Sequence, residues 1–421
     1  MGCSTSLYHK GKVAYDHRDY EEAISLLEQA AEAEPDKAVI WQRLGLAYYK
    51  AEMYENAIDA FKQAALIDPD DGVSVLHLGL SHEILGNEAE AVQVYRTFLD
   101  SNPDSDMYSR IRRRVQFITD KMVREEVQAI IANESQIDAS KIPSNTVGVL
   151  GFDASSLEPG YAVLGRGLSE MVTTDLTKIE ELRLVERLRL NEIQKELSLS
   201  QSDIVDKTGA PRLGMLVGAA TVVTGQLTQP EKKTFAAAAN LISTEQGIAT
   251  YPDEASGELE KFLEMEKQLV YNILDEMGYT PTPEEKARLD SIPTTSFLAF
   301  LAYSRGLTYA DQGEYRLAEA EYEAALAEDP QFSEAAEARQ DVQGLSGYTG
   351  NVEPVGSLEP DILGLAGESV PSPETGSALH VTRDVLGFQV EQSTPEEGDN
   401  PRVPPHVEGK VTVTGTFSPD E

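Results

Sequence analysis

AVIWQRLGLAYYKAEMYENAIDAFKQAALIDP, residues 38–69, is the stretch whose reading decides the architecture of this 421-residue chain. Three of its residues, Gly45, Ala57 and Pro69, are echoed 34 positions earlier by Gly11, Ala23 and Pro35. They are echoed again 34 positions later by Gly79, Ala91 and Pro103. A period of this length marks supersecondary units that stack because none can bury its apolar face alone. The residue types fit two antiparallel helices per unit. Small Gly45 and Ala57 sit where the helices approach, and Trp41, Leu44, Tyr48 and Phe61 fill the space between them. Pro69 closes the second helix, which proline cannot continue.

Residues 38–69 resemble the tetratricopeptide repeat (TPR) family, with Trp41, Leu44, Gly45, Tyr48, Ala57, Phe61, Ala64 and Pro69 at its consensus places. The first copy has Leu7 and Ala14 where Trp and Tyr are usual, and the third has His82 for Tyr. Three repeats are assigned to residues 7–103. The spacing returns in Gly306, Ala318 and Pro330, with Tyr309, Tyr322 and Ala325 in the remaining places, giving a lone fourth repeat over 296–342. It must dock on the preceding domain, the N-terminal array or another chain. Residues 104–140 read as a capping helix of about 25 residues with a linker. Its buried stripe is Met107, Ile111, Val115, Ile118 and Met122. Arg110, Arg112, Arg113 and Arg114 lie off that stripe. They read as solvated cations balancing the chain's own carboxylates, with lipid headgroups or an acidic partner as the alternative.

Residues 144–290 change character. TVGVLGFD (146–153) predicts a buried strand, followed by a helix with Leu164, Leu168, Met171, Val172 and Leu176 on one face. A strand at 182–187, a helix in RLNEIQKELSL and a third helix near 203–217 come next. Two strands around Pro-Glu-Lys-Lys follow, then a helix over 256–277 whose inner stripe is Phe262, Leu269, Ile273 and Met277. Alternating strands and helices predict a sheet flanked by helices. The expected fold class is thus multidomain α plus α/β. It comprises a TPR solenoid, a central sheet domain, one further TPR and a disordered acidic tail over 344–421.

Four pieces in order make the middle domain similar to the CsgG/TolB-like family of bacterial envelope proteins. They are VGVLGFD, the Gly-Leu-Ser-Glu-Met…Asp-Leu helix, LRLVERLRLNEIQKEL and GAATVVTGQL (218–227). The resemblance implies periplasmic or outer-membrane assembly work, not catalysis. Pore-forming members carry long amphipathic hairpins. Here the candidate hairpin has strands near the ~9–11-residue minimum for a membrane barrel. Phe235 is its only aromatic between 221 and 249, so it lacks a girdle and a non-pore member is expected.

Chemistry-bearing residues are sparse. Between 144 and 290 there is no histidine, cysteine or tryptophan, which removes Ser-His-Asp, Cys-His and His-metal schemes from that domain. The six histidines (His9, His17, His77, His82, His380 and His406) show no metal-motif spacing, and no metal or cofactor is expected. GYAVLGRG (160–167) sits where phosphate loops sit, yet matches neither G-x-G-x-x-G nor G-x-x-x-x-G-K-[ST]. Asp153 at a strand end reads as a turn residue beside Ser155 and Ser156. With 72 acids against 35 bases the net charge is −37, a field that repels nucleic acid.

The repeats offer a binding face instead. Tyr8, Lys12 and Tyr15 of the first repeat, Gln42, Arg43, Leu46, Tyr49 and Lys50 of the second, and Leu76, His77 and Leu80 of the third share one side of their helices. In TPR proteins that side lines the concave groove, and Lys12, Arg43 and Lys50 would make it basic. The other reading is a surface that packs only on the protein's own domains.

The termini complete the picture. Residues 351–421 hold nine of the 21 prolines and 13 acids against three bases, a composition that does not order itself. ALHVTRDVLGFQV and KVTVTGTF within it are candidate strands for a partner's edge. Cys3 is the only cysteine, so no intrachain disulfide forms. No apolar run approaches the ~18 residues of a spanning helix. Gly2-Cys3-Ser4 fits the end of a bacterial lipobox, with the apolar leader then lying upstream of Met1; residues 1–6 become a lipid anchor and linker. M-G-x-x-x-S also matches N-myristoylation, and an unmodified thiol is the third reading. These observations lead to a non-enzymatic scaffold lipoprotein of the bacterial periplasm. It is held to the outer membrane by a lipid on Cys3 and serves secretion or surface-structure assembly through protein partners, with homo-oligomerisation open. The alternatives are a regulator of a peptidoglycan synthase, a CsgG-like pore subunit and, last, a nucleotide- or sugar-binding enzyme.

Overall fold

In the first three repeats, each 34-residue period folds as one helix pair. The pairs are α1 (Ser4–Asp16) with α2 (Tyr20–Ala33), α3 (Ala38–Lys50) with α4 (Tyr54–Ile67), and α5 (Gly72–Ile84) with α6 (Glu88–Ser101). The computed structural model describes residues 4–197, 209–231 and 233–350. Gly45 faces Phe61 so closely that a Cβ there would stand 2.6 Å from the ring. Each first helix stops at a residue with left-handed backbone: Arg18 (φ 62°), Glu52 (φ 60°) and Gly86 (φ 76°), again 34 apart. Two of the three turns therefore hold a side chain where glycine is favoured.

Helix α7 (Tyr108–Ala132) caps the array, with Met107, Ile111, Val115 and Ile118 buried as the pattern predicts. Met122, the fifth residue of that stripe, is 40% exposed instead. From Val123 the buried face moves on by one residue, about 100° around the helix. Val127 is fully buried, and Val123, Ile130 and Ile131 pack beside it, in a second core that belongs to the sheet domain. One continuous helix is thus built into two cores.

Arg110, Arg112, Arg113 and Arg114 are not freely solvated, which corrects the sequence expectation: the first three are half-buried and the fourth is buried. Arg114 is buried, its guanidinium donating through Nε and Nη2 to the two oxygens of Glu83 on α5, and Tyr95 Oη lies 2.9 Å from the same carboxylate. Removing one partner of such a pair costs on the order of 3–5 kcal/mol. Arg112 donates to the carbonyl of Asp341, and Arg113 to that of Ser346 at 3.4 Å.

The sheet has the order β2-β1-β3-β4-β5, with β6 also on β4. β1 (Thr146–Asp153) runs parallel to β2 (Arg183–Leu184) and β3 (Thr221–Glu231). β4 (Thr234–Ser243) is antiparallel to β3 and to the short β5 (Ala249–Thr250) and β6 (Ala255–Glu258). One face packs on α8 (Leu164–Thr177) and α11 (Phe262–Glu276); the other packs on α9 (Arg187–Glu196), α10 (Gly209–Val217) and the end of α7. Two predicted boundaries shift, and a third is only partly described. The second strand is only two residues long, because it pairs with Thr146 and Val147 before the chain turns into α9. The third helix is seen over Gly209–Val217; residues 203–208 of the predicted span lie outside the described residues. Residues 255–258 are strand, not helix, because they pair with Thr234–Ala237, whose outer edge would otherwise lack partners.

The fourth repeat is α13 (Phe297–Asp311) and α14 (Tyr315–Glu328), followed by α15 (Ser333–Val342); the short α12 (Pro283–Leu289) precedes it with a Thr282/Glu285 capping box. It docks on the preceding domain. Phe300 of α13 lies tilted against Phe262 at 5.3 Å, and Phe297 stacks on Phe235 of β4 at 6.4 Å. The chain then reaches back to α7. Leu345 and Tyr348, inside the span predicted as tail, are buried, and Tyr348 Oη donates to Asp120 at 2.8 Å. Residues 351–421, with both candidate strands, lie outside the described residues.

The glycines of 160–167 serve contact. A Cβ on Gly165 would overlap the Phe152 carbonyl of β1, and one on Gly167 would overlap Ser304 of α13. Gly165→Ala should therefore lower the urea unfolding free energy by about 1–3 kcal/mol. An unchanged midpoint in a urea titration contradicts that role.

Between α8 and α11 a charged cluster is buried. Lys267 Nζ donates to Asp175 at 2.6 Å and Lys178 Nζ donates to its other oxygen at 2.7 Å. Glu266 is fully buried, and neither carboxylate oxygen accepts a hydrogen bond, although Lys267 Nζ stands 3.5 Å from Oε2. Burial, then repulsion from Asp175, pushes its carboxyl up to about 8. The folded state thus holds a proton that the unfolded state releases near 4.5. The resulting stability is full below that value and lost as pH rises through about 8. Chemical denaturation across this window should show falling stability in the wild type and a flatter profile in Glu266→Gln.

Candidate functional site

The eleven inner-face residues of the repeats come together on α1, α3 and α5. Arg43 lies over the Tyr15 ring, 5.4 Å from its centroid. His77 meets Tyr49 edge-on at 5.4 Å and stacks on Phe61 at 5.5 Å. Gln42 donates to Asp71 at 2.7 Å. The face is deeper than the pattern implied: Tyr15, Gln42, Arg43, Leu46, Tyr49, Leu76, His77 and Leu80 are buried, while Tyr8, Lys12 and Lys50 remain half-buried at its rim.

Three residues of this face escaped the sequence reading. Asp71 caps α5, accepting from the amides of Val73 and Ser74, and holds Gln42 besides. Arg110 and Arg114 continue the face onto α7. The signal was available, since they stand 34 residues after Leu76 and Leu80, so α7 acts as one more first helix of the array. Two guanidinium nitrogens at these positions, Arg43 Nε and Arg110 Nη1, are buried without a hydrogen-bond partner among the described residues.

Asp153 is a turn residue, its carboxylate accepting from the Ser155 amide at 2.9 Å. Phe235 of the candidate hairpin is fully buried in the domain core. Among the described residues no group of three or more His, Cys, Asp or Glu is arranged to hold a metal, and no helix is long and apolar enough to cross a membrane. Cys3 lies outside the described residues.

A second concavity is a cleft of ≈ 1490 Å³. Its walls are Arg96 of α6, one face of α7, α9, the turn from α13 into α14, and residues 341–350.

Residues 123–240 match the family described as curli production assembly/transport component CsgG. Residues 8–72, 74–105 and 303–339 match tetratricopeptide repeat families. No curated protein matches the chain. Similar solved structures include the Arabidopsis OM64 TPR domain (21% identity, 27% of this chain and 93% of that one, TM-score 0.25). They also include the LpoB C-terminal domain from Salmonella enterica (18% identity, 31% and 95%, TM-score 0.23). A third is a tetratricopeptide repeat protein from Parabacteroides merdae (14% identity, 80% and 98%, TM-score 0.27). The CsgG match begins at Val123, the residue where α7 changes cores. The chain carries tetratricopeptide repeats and, between the third and fourth of them, a segment that matches the CsgG family.

Proposed function

We propose that this protein is a non-enzymatic scaffold of the bacterial cell envelope. It grips a segment of a partner protein in the inner face of its repeats and holds it at a fixed distance from the CsgG domain. The observation that carries this reading is the pair of buried, unpartnered nitrogens on Arg43 and Arg110. A buried donor without an acceptor costs free energy, so such groups call for an explanation, of which a bound group is one. Carbonyl or carboxylate oxygens of a bound segment would supply the acceptor. Lys12 and Lys50 at the rim would draw in an acidic segment, while Tyr8, Tyr15, Leu46, Tyr49, Leu76, His77 and Leu80 give the face its apolar and aromatic character, with Gln42 fixed on Asp71. The rigidity comes from α7, which belongs to both cores.

The location we infer is the periplasm, with a lipid on Cys3 anchoring the chain to the outer membrane. The repeats then lie beside the membrane, because α1 begins at Ser4.

Two experiments test this reading. A Lys12→Glu, Lys50→Glu double variant changes only half-buried rim positions and should keep its circular dichroism melt. It should lose at least one partner seen by crosslinking in cells; an unchanged partner set rejects the groove. In bacterial cells fed an alkyne fatty acid, the wild type should incorporate the label and Cys3→Ser should not. Equal labelling of the two, or none in either, rejects the anchor.

A further inference from the structure

The cleft behind α7 plays no part in that reading, and its charge departs from the rest of the molecule. The whole chain has about two acids per base, yet this cleft is lined by Arg96, Arg112, Arg124, Arg187, Lys195 and Arg316 against five acids. Four of those acids are already engaged. Asp341 pairs with Arg112, and Asp311 with Arg166 and Arg187. Glu192 pairs with Arg124 and Lys195, and Asp120 accepts from Tyr348 and Gln116. The fifth is Glu314.

The cationic side keeps a surplus. Arg96 and Arg316 are exposed at the mouth and pair with no described carboxylate. Arg112 Nε and Arg187 Nε are buried and donate to no described acceptor. Burial and the adjacent Arg166 guanidinium hold Arg187 below the ordinary arginine value, as expected where positive charge crowds. A cleft with low-dielectric walls focuses such a field.

Shape selects the ligand class. The volume exceeds the roughly 300–1,000 Å³ of small-molecule sites. Gly313 and Gly347 line it with φ of 77° and 79°, and open space stands where their side chains would be. A polypeptide backbone can lie against such a wall. A nucleic-acid strand would meet the net charge of −37 at every phosphate outside the cleft.

We propose that this cleft is a second docking site, for an extended acidic segment of a partner polypeptide whose carboxylates are held by Arg96 and Arg316.

The test uses the full chain and a fluorescein-labelled Ac-(Glu-Ser-Val)4 peptide read by fluorescence anisotropy. Binding should saturate, weaken at least tenfold in an Arg96→Glu, Arg316→Glu variant that melts like the wild type, and fall as far when glutamine replaces glutamate in the peptide. The Lys12→Glu, Lys50→Glu variant should bind as the wild type does, which separates this site from the repeat groove. Three results overturn the proposal. One is no binding, or equal binding by the Arg96/Arg316 variant. Another is equal binding of labelled dT12, which makes the site a general polyanion sink. The third is peptide binding that appears only after proteolysis beyond Gly350, which assigns the cleft to the protein's own acidic residues 351–421.

Discussion

Helix α7 satisfies two cores at once, and the rest of the described structure depends on that. Its first half must present Ile111, Val115 and Ile118 to the repeats, and its second half Val123 and Val127 to the sheet domain. A helix advances about 100° per residue, so a one-residue change of stripe turns the buried face by that angle. No flexible linker is left between the repeat array and the CsgG domain. What the repeats hold is therefore fixed in direction relative to the sheet, and Met122 is the exposed apolar residue left at the crossover.

Charge does the fastening around that helix. A chain with 72 acids would expel its carboxylates to water, but Glu83 is drawn in by Arg114, while Asp311 stays at the surface and holds Arg166 and Arg187 beneath it. These pairs join elements far apart in sequence: α5 with α7, and the fourth repeat with α8 and α9. The residues 341–348 add a last clasp through the Arg112 and Arg113 contacts to backbone carbonyls and through Tyr348 to Asp120. The fourth repeat, which has no sister repeat beside it, gains its buried area from Phe235, Phe262 and α8 instead. That arrangement also forms the cleft, whose walls come from three separate regions of the chain.

Much of this was legible in sequence order. The 34-residue spacing of Gly11, Gly45 and Gly79 reports a local requirement, because each glycine meets a side chain only one helix away. The strand 146–153 and the stripe of α8 were equally plain, since period-2 and period-3.6 patterns are set by neighbours along the chain. The eleven inner-face residues were placed on the right helices, but not their depth. Arg43 reads as a surface cation until Tyr15 of the preceding repeat closes over it. The glycines at 165 and 167 match no phosphate-loop pattern, but their own role shows only when Phe152 and Ser304 are seen against them.

The sequence by itself determined the repeats, their number and the presence of a helix-flanked sheet, because the interactions behind them span one helix pair or one strand. Only the tertiary structure decided where the lone fourth repeat docks, that Arg114 of α7 is buried, and that Glu266 lies inside the domain with neither oxygen hydrogen-bonded. Each of those depends on which distant side chain arrives next to a charge or an apolar face. Composition and spacing carry no record of that, because the pairing of remote surfaces is fixed by packing the whole chain at once.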